Sequence, residues 1–184
     1  MNQLFKKICF FLVFFSPMIS WSLEIGDNAP DFSLLDQDGF LHRLQDDRGR
    51  FVLLFFYPKS RFSRSHQLAE NLERYYRELF FRNVVIYGIT NDSIEKSVDF
   101  KEKLSLSYDI LSDSEGVAKR SYLGKKWFNQ SHYMIYLIGP KGSILRKWVK
   151  KGSIHIFVQN VMKYFSSHAA NSSCLEKLSC NENS

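Results

Sequence analysis

Between residues 58 and 66 the chain reads Pro-Lys-Ser-Arg-Phe-Ser-Arg-Ser-His, a stretch that could do chemistry or bind charge. Ser65 beside His66 invites a nucleophile–base reading, in which the imidazole takes the hydroxyl proton during attack. Neighbouring residues on a helix point roughly 100° apart, however, so a helical Ser65 and His66 do not face each other. His42 or His132 would have to reach Ser65 through the fold instead. Lys59, Arg61 and Arg64 suggest a different use. They surround the start of an expected helix, where unpaired N–H groups and the helix dipole favour a small anion or a carboxylate. The plainer reading, and the one expected, is three solvated side chains on a surface turn. The five histidines show no H-x-x-x-H pattern and no cluster with carboxylates, so neither a metal nor any other cofactor is expected.

The three cysteines are Cys9, Cys174 and Cys180. Cys9 lies in a segment with the pattern of a secretory signal peptide: Lys6 and Lys7, an apolar run from Ile8 to Ile19, then Ser20-Trp21-Ser22 with small residues for cleavage. Residues 1–22 are therefore expected to be removed, placing the protein in the periplasm. An uncleaved anchor is the competing reading, although the run is short for a membrane span and Pro17 interrupts it. Cleavage leaves Cys174 and Cys180, an even count in an oxidising compartment. Their simplest state is one small disulfide ring in the tail, with free thiols or a redox-active pair as alternatives. The C-x5-C spacing is not the C-x-x-C of a disulfide oxidoreductase.

The elements that would position these residues alternate in type. The first is a hairpin from Gly26 to Leu44, turning at Asp36-Gln-Asp38-Gly39. Phe51 to Tyr57 is an unbroken apolar run, expected as a central strand buried on both faces. Leu68, Leu72, Tyr75, Tyr76 and Leu79 recur at helical spacing and predict one amphipathic helix through about Phe81. A strand at Val84–Ile89, a helix at Ile94–Leu104, a short strand at Asp109–Leu111 and a short helix at Ser114–Tyr122 follow. Met134–Ile138 and Ser143–Val149 bracket a Pro140-Lys-Gly142 turn, and a helix at Ile154–Phe165 closes the domain. This order predicts a three-layer α/β/α fold of thioredoxin type, with a mixed central sheet and the N-terminal β-hairpin. The domain is assigned to residues 23–166, followed by a flexible tail at 167–184. The formal charge of +6, falling to +4 after cleavage, is modest, and runs such as Lys147-Trp148-Val149-Lys150-Lys151 read as solvated strand ends. Nucleic-acid binding and a stable membrane span after cleavage are not expected. Trp127 and Phe128 are the aromatics singled out for a partner surface.

Three segments together resemble the peroxiredoxin superfamily of the AhpC/TSA type, most of all the bacterioferritin comigratory protein (PrxQ) group. They are Gly26-x-x-Ala29-Pro30-Asp31-Phe32, Phe55-Phe56-Tyr57-Pro58-Lys59, and Asp109-Ile-Leu-Ser-Asp113-Ser-Glu-Gly116-Val-Ala118-Lys119. The likeness covers Leu23 to about Phe165 and implies the same thioredoxin-like fold. It also implies a thiol peroxidase whose active strand runs into Pro-x-x-x-Thr-x-x-Cys. Pro58 matches that pattern, but Phe62 stands at the Thr and Ser65 at the attacking Cys. Glu70 stands where many members carry the resolving Cys, and Tyr133 where an Arg usually precedes the late strand. Peroxide reduction needs a thiolate that becomes a sulfenic acid and is then resolved by a second thiol. The expectation is therefore a non-peroxidase with a binding or structural role. The alternative is a thioredoxin-dependent thiol peroxidase whose redox work has moved to Cys174 and Cys180. Homodimerisation through a sheet edge or the active-site loop, and a thioredoxin-type reductant if the protein is active, are implied by the resemblance alone.

Overall fold

The computed structural model describes residues 23–57, 59–128, 133–149 and 153–169, the side chains of 125–128 and 168–169 excepted. Residues 1–22, where a signal peptide is expected, lie outside the described residues, as do Pro58, His132, Lys150, Lys151, Cys174 and Cys180 and the side chains of Trp127 and Phe128. In chain order the strands are β1 (Ser33–Leu35), β2 (Leu41–Arg43), β3 (Phe51–Phe56), β4 (Val84–Thr90), β5 (Asp109–Ser112), β6 (Met134–Ile138) and β7 (Ile144–Val149). The helices are α1 (Ser63–Glu73), α2 (Tyr76–Phe81), α3 (Ile94–Leu104), α4 (Val117–Phe128) and α5 (Ile154–Ala169), with a 3-10 turn at Leu44–Asp47.

β3 shows why the fold is layered. Successive strand residues face opposite sides, so Val52, Leu54 and Phe56 enter one apolar cluster while Leu53, Phe55 and the following Tyr57 enter the other. The sheet order is β2-β1-β5-β4-β3-β6-β7. β3, β4 and β5 run parallel, while β6 pairs antiparallel with β3 and β7 antiparallel with β6. β1 pairs antiparallel with both β2 and β5. The sheet is mixed, as expected. In the hairpin turn the Asp36 carboxylate accepts the N–H groups of Asp38 and Phe40 at 2.8 and 2.9 Å, and Gly39 takes φ +83°.

Residues of α1, α2, α3 and α5 pack into the cluster on one face of the sheet. α4, the 3-10 turn and the N-terminal segment around Ala29 and Phe32 supply the other. The long helix expected through Phe81 is two helices. Tyr75, at φ −104° and ψ 0°, separates α1 from α2, and Tyr75 N–H bonds to the Leu72 carbonyl at 3.0 Å in a tightened last turn. The end of α1 is held there because the Glu73 carboxylate accepts Ser107 N–H at 2.8 Å and Ser107 Oγ–H at 2.6 Å. α4 runs past Tyr122, with a kink at Gly124 (φ 69°, ψ 168°) that only glycine adopts readily. α5 also exceeds its expected end at Phe165, continuing to Ala169.

Candidate functional site

Ser65 lies in the first turn of α1, beyond the C-terminal end of β3, and is 1% exposed. Its hydroxyl donates to the Lys59 carbonyl at 2.8 Å, and the same oxygen accepts Phe62 N–H at 3.3 Å. His66 turns the other way. Its Nε2–H donates to the Ser60 carbonyl at 2.8 Å, and its ring lies edge-on to Phe100 with centroids 5.3 Å apart. Ser65 and His66 are thus each committed to a different backbone carbonyl, and no base receives the serine proton. His42 sits elsewhere, against Tyr87 and Asp36. The nucleophile–base reading finds no geometry to support it.

Phe62 is the residue that precedes α1, with extended backbone (φ −85°, ψ 130°) and no side-chain cap on the first turn. Threonine or serine at such a position accepts a helix N–H; phenylalanine cannot. Arg61 instead lays its guanidinium over the Phe62 ring, 5.1 Å from the centroid. Lys59, Arg61 and Arg64 are all exposed. Glu70 is exposed on α1, on the face turned away from buried Ser65. Tyr133 is buried in the cluster shared by α1 and α5. It precedes Met134, the register partner of Phe56, which puts it at the same end of β3 as Tyr57.

A polar network that sequence spacing did not reveal ties this loop to the ends of β4 and β5. Ser60 N–H donates to Asp92 Oδ2 at 2.5 Å, and Thr90 Oγ1–H donates to the same oxygen at 3.1 Å. Ser112 Oγ–H donates to the Asp92 carbonyl at 2.6 Å. Asn91 bridges onward, giving its Nδ2–H to the Asp113 carbonyl and taking Lys119 Nζ–H at 2.9 Å. Burial raises the Asp113 carboxyl above its ordinary range, against the pull of the N–H groups of Lys119, Ala118 and Val117. Burial likewise lowers the Lys119 ammonium, with Asp113 acting against the shift and Lys59 adding to it. The available signal was Thr90-Asn91-Asp92 itself: polar residues at the C-terminal end of a parallel strand, where α/β proteins place their sites. Tyr57 is a second omission. Its hydroxyl is buried and has no hydrogen-bond partner among the described residues, and burial raises its pKa well above the usual value.

The expectation that no histidine joins a carboxylate cluster is corrected by the fold. Asp36, His42 and Asp109 bring one ligand atom each within 4.8 Å of one another. The hairpin supplies two of them and β5 the third, so linear spacing could not show it. An open cleft of about 910 Å³ lies apart from Ser65, between the hairpin and the starts of α3 and α4, with Arg43, Glu95, Asp113 and Val117 among its lining residues.

Sheet order, layers and a helix starting beyond the first parallel strand define a thioredoxin-like fold, and solved structures agree. The chain superposes on PrxQ from Xylella fastidiosa, in a Cys-to-Ser mutant form, with a TM-score of 0.72 at 19% identity, covering 81% of this chain and 99% of that one. Peroxidoxin BcpB from Mycobacterium tuberculosis gives 0.70 at 23% identity, covering 79% and 97%. The sequence model of the AhpC/TSA family matches residues 25–147, and the chain belongs to that family. It falls in the Bcp/PrxQ group. Peroxiredoxin Bcp of Escherichia coli K12 is 37% identical over 130 residues, 66% of this chain and 83% of the relative. Peroxiredoxin Bcp of Bacillus subtilis is 30% identical over 136 residues, 70% and 87% respectively.

Proposed function

We propose that in this member of the family Ser65 occupies the place of the attacking cysteine, so that the pocket at the start of α1 does not reduce peroxide and serves binding or structure. One observation carries the reading. The domain has no cysteine between residues 10 and 173, and the group at the start of α1 is a buried hydroxyl hydrogen-bonded to the Lys59 carbonyl. A serine hydroxyl is a weak nucleophile at neutral pH without a base, and it has no sulfenic acid state through which to pass an oxidising equivalent. Phe62 and Tyr133 remove the hydroxyl and the guanidinium that would orient and activate the reaction.

The relatives' names favour a second reading: Bcp proteins of Escherichia coli and Bacillus subtilis are called peroxiredoxins. Thiol-dependent peroxide reduction here would have to run through Cys174 and Cys180, attack by one thiolate giving a sulfenic acid that the other resolves to a disulfide. Replacing both with alanine separates the readings. If the tail carries the chemistry, peroxide consumption with a thiol reductant is present in the parent chain and abolished in the double variant. On the reading proposed here neither protein consumes peroxide above the reductant's own background rate.

A further inference from the structure

We propose that Asp36, His42 and Asp109 form a binding site for a divalent transition-metal cation of the zinc class. The case starts from proton bookkeeping. Asp47 is held by Arg50 and accepts the Tyr87 hydroxyl proton at Oδ2, 2.9 Å away. Tyr87 has no second proton, so its oxygen accepts from His42 Nδ1–H at 3.2 Å. That bond assigns the tautomer and leaves Nε2 facing Asp36 Oδ2 at 2.7 Å. Two lone pairs do not sit that close, so something positive lies between them, either a second ring proton, which makes the contact an ion pair, or a cation. Asp36 cannot rotate away, because its other oxygen accepts the N–H groups of Asp38 and Phe40.

The third donor is Asp109, whose Oδ1 takes Lys101 Nζ–H at 2.9 Å and Gln37 Nε2–H at 3.2 Å. Two carboxylates and one imidazole therefore bring a ligand atom each within 4.8 Å of one another. Their charge is balanced either by a proton on His42 together with the Lys101 ammonium, or by one divalent cation. The donor set of one imidazole and two carboxylates suits zinc. Tyr87, holding the far ring nitrogen, is the kind of outer partner that fixes a ligating histidine's tautomer. Bonds of zinc length at a tetrahedral angle separate ligand atoms by roughly 3.4 Å. The His42–Asp36 pair must then open by about 0.7 Å, and Lys101 must give way toward solvent. His42 lies on β2, a three-residue strand at the sheet edge.

The test uses residues 23–184 with Cys174→Ser and Cys180→Ser, so that tail thiols cannot bind the metal. Among the described residues, every buried member of both clusters lies between Ala29 and Phe165, within the tested span. Calorimetric titration with zinc chloride, and visible absorption with cobalt(II), should show one saturable site. His42→Gln and Asp109→Asn should each weaken it at least tenfold, and Tyr87→Phe should weaken it about tenfold through the lost tautomer lock. Asp109→Asn keeps an oxygen acceptor for Gln37, so it reports on the metal even if the histidine variant is misfolded. No saturable binding up to millimolar zinc would overturn the proposal, as would binding that all three variants leave unchanged.

Discussion

Ser65 donates its hydroxyl to a backbone carbonyl in the first turn of α1. A cysteine there would gain from the N–H groups of α1, which favour a thiolate. On the proposed reading, however, Phe62 still offers a ring where a hydroxyl would hold the peroxide. Ser65→Cys alone should therefore consume hydrogen peroxide slowly, and Ser65→Cys with Phe62→Thr at least about tenfold faster, the scale of one well-placed donor. Equal rates in the two variants, measured in the same peroxide assay, would show that Phe62 does not limit the site. Pro58, Phe62 and Ser65 could be singled out from sequence because they are close together and read as one motif. The supporting contacts could not. Ser60 meets Asp92 and Lys119 meets Asn91 only once β4 and β5 lie side by side.

At the scale of elements, register explains a requirement that hydrophobic pattern alone hides. Gly88 in β4 is the sheet partner of Phe55 in β3 and of Ile110 in β5. A Cβ on Gly88 would lie 2.7 Å from Phe55 Cζ and 2.9 Å from Ile110 Cδ1. The missing side chain makes room for the Phe55 ring, which stacks on Tyr57 at 5.5 Å and meets Tyr108 edge-on at 5.5 Å. Gly88→Ala should thus cost about 1–3 kcal/mol, as overpacking does, read from the urea midpoint at unchanged slope. Stability equal to the parent would mean that the ring relaxes freely. β3, β6 and α3 were predicted almost to the residue, since long apolar runs and clear periodicity signal strongly. The break between α1 and α2 was hidden because Leu72 and Leu79, seven residues apart, both bury and keep the helical spacing across it. Nothing local announced that Ser107 would hold Glu73.

The whole molecule is built around buried phenols, and they set its response to alkali. Burial raises the pKa of Tyr57, Tyr108, Tyr122 and Tyr136 above the ordinary value of 10.0. Tyr122 donates to the Pro30 carbonyl at 2.7 Å and Tyr136 to the Tyr122 carbonyl at 2.9 Å, so the latter two also fasten the N-terminal segment and α4 to the sheet. Above pH 10 the unfolded chain releases these protons while the folded chain keeps them. Their stabilisation is complete below pH 10.0 and is lost as pH rises toward the folded values. Each contributes at most about 1.4 kcal/mol per pH unit in that window, and the four act in the same direction. Lys119 acts in the opposite sense, adding stability as pH rises from its lowered value to 10.5, but it is one group and its effect ends there. Denaturant melts should therefore show stability dropping steeply above pH 10, with phenolate absorbance appearing together with unfolding. Phenolate absorbance from all the tyrosines in a still-folded protein would contradict this. The layered fold itself was legible from the order of the elements. The face taken by each helix was not, because Val52–Tyr57 is apolar on both sides and offers either face to any helix.

The central claim is that a peroxiredoxin frame here has no working nucleophile at position 65, and steady-state hydrogen peroxide consumption tests it most directly. Residues 23–184 would be assayed with dithiothreitol and, separately, with thioredoxin and its reductase. No consumption beyond the protein-free rate is predicted with either reductant. Catalytic turnover that persists when Cys174 and Cys180 are both replaced would contradict the claim outright.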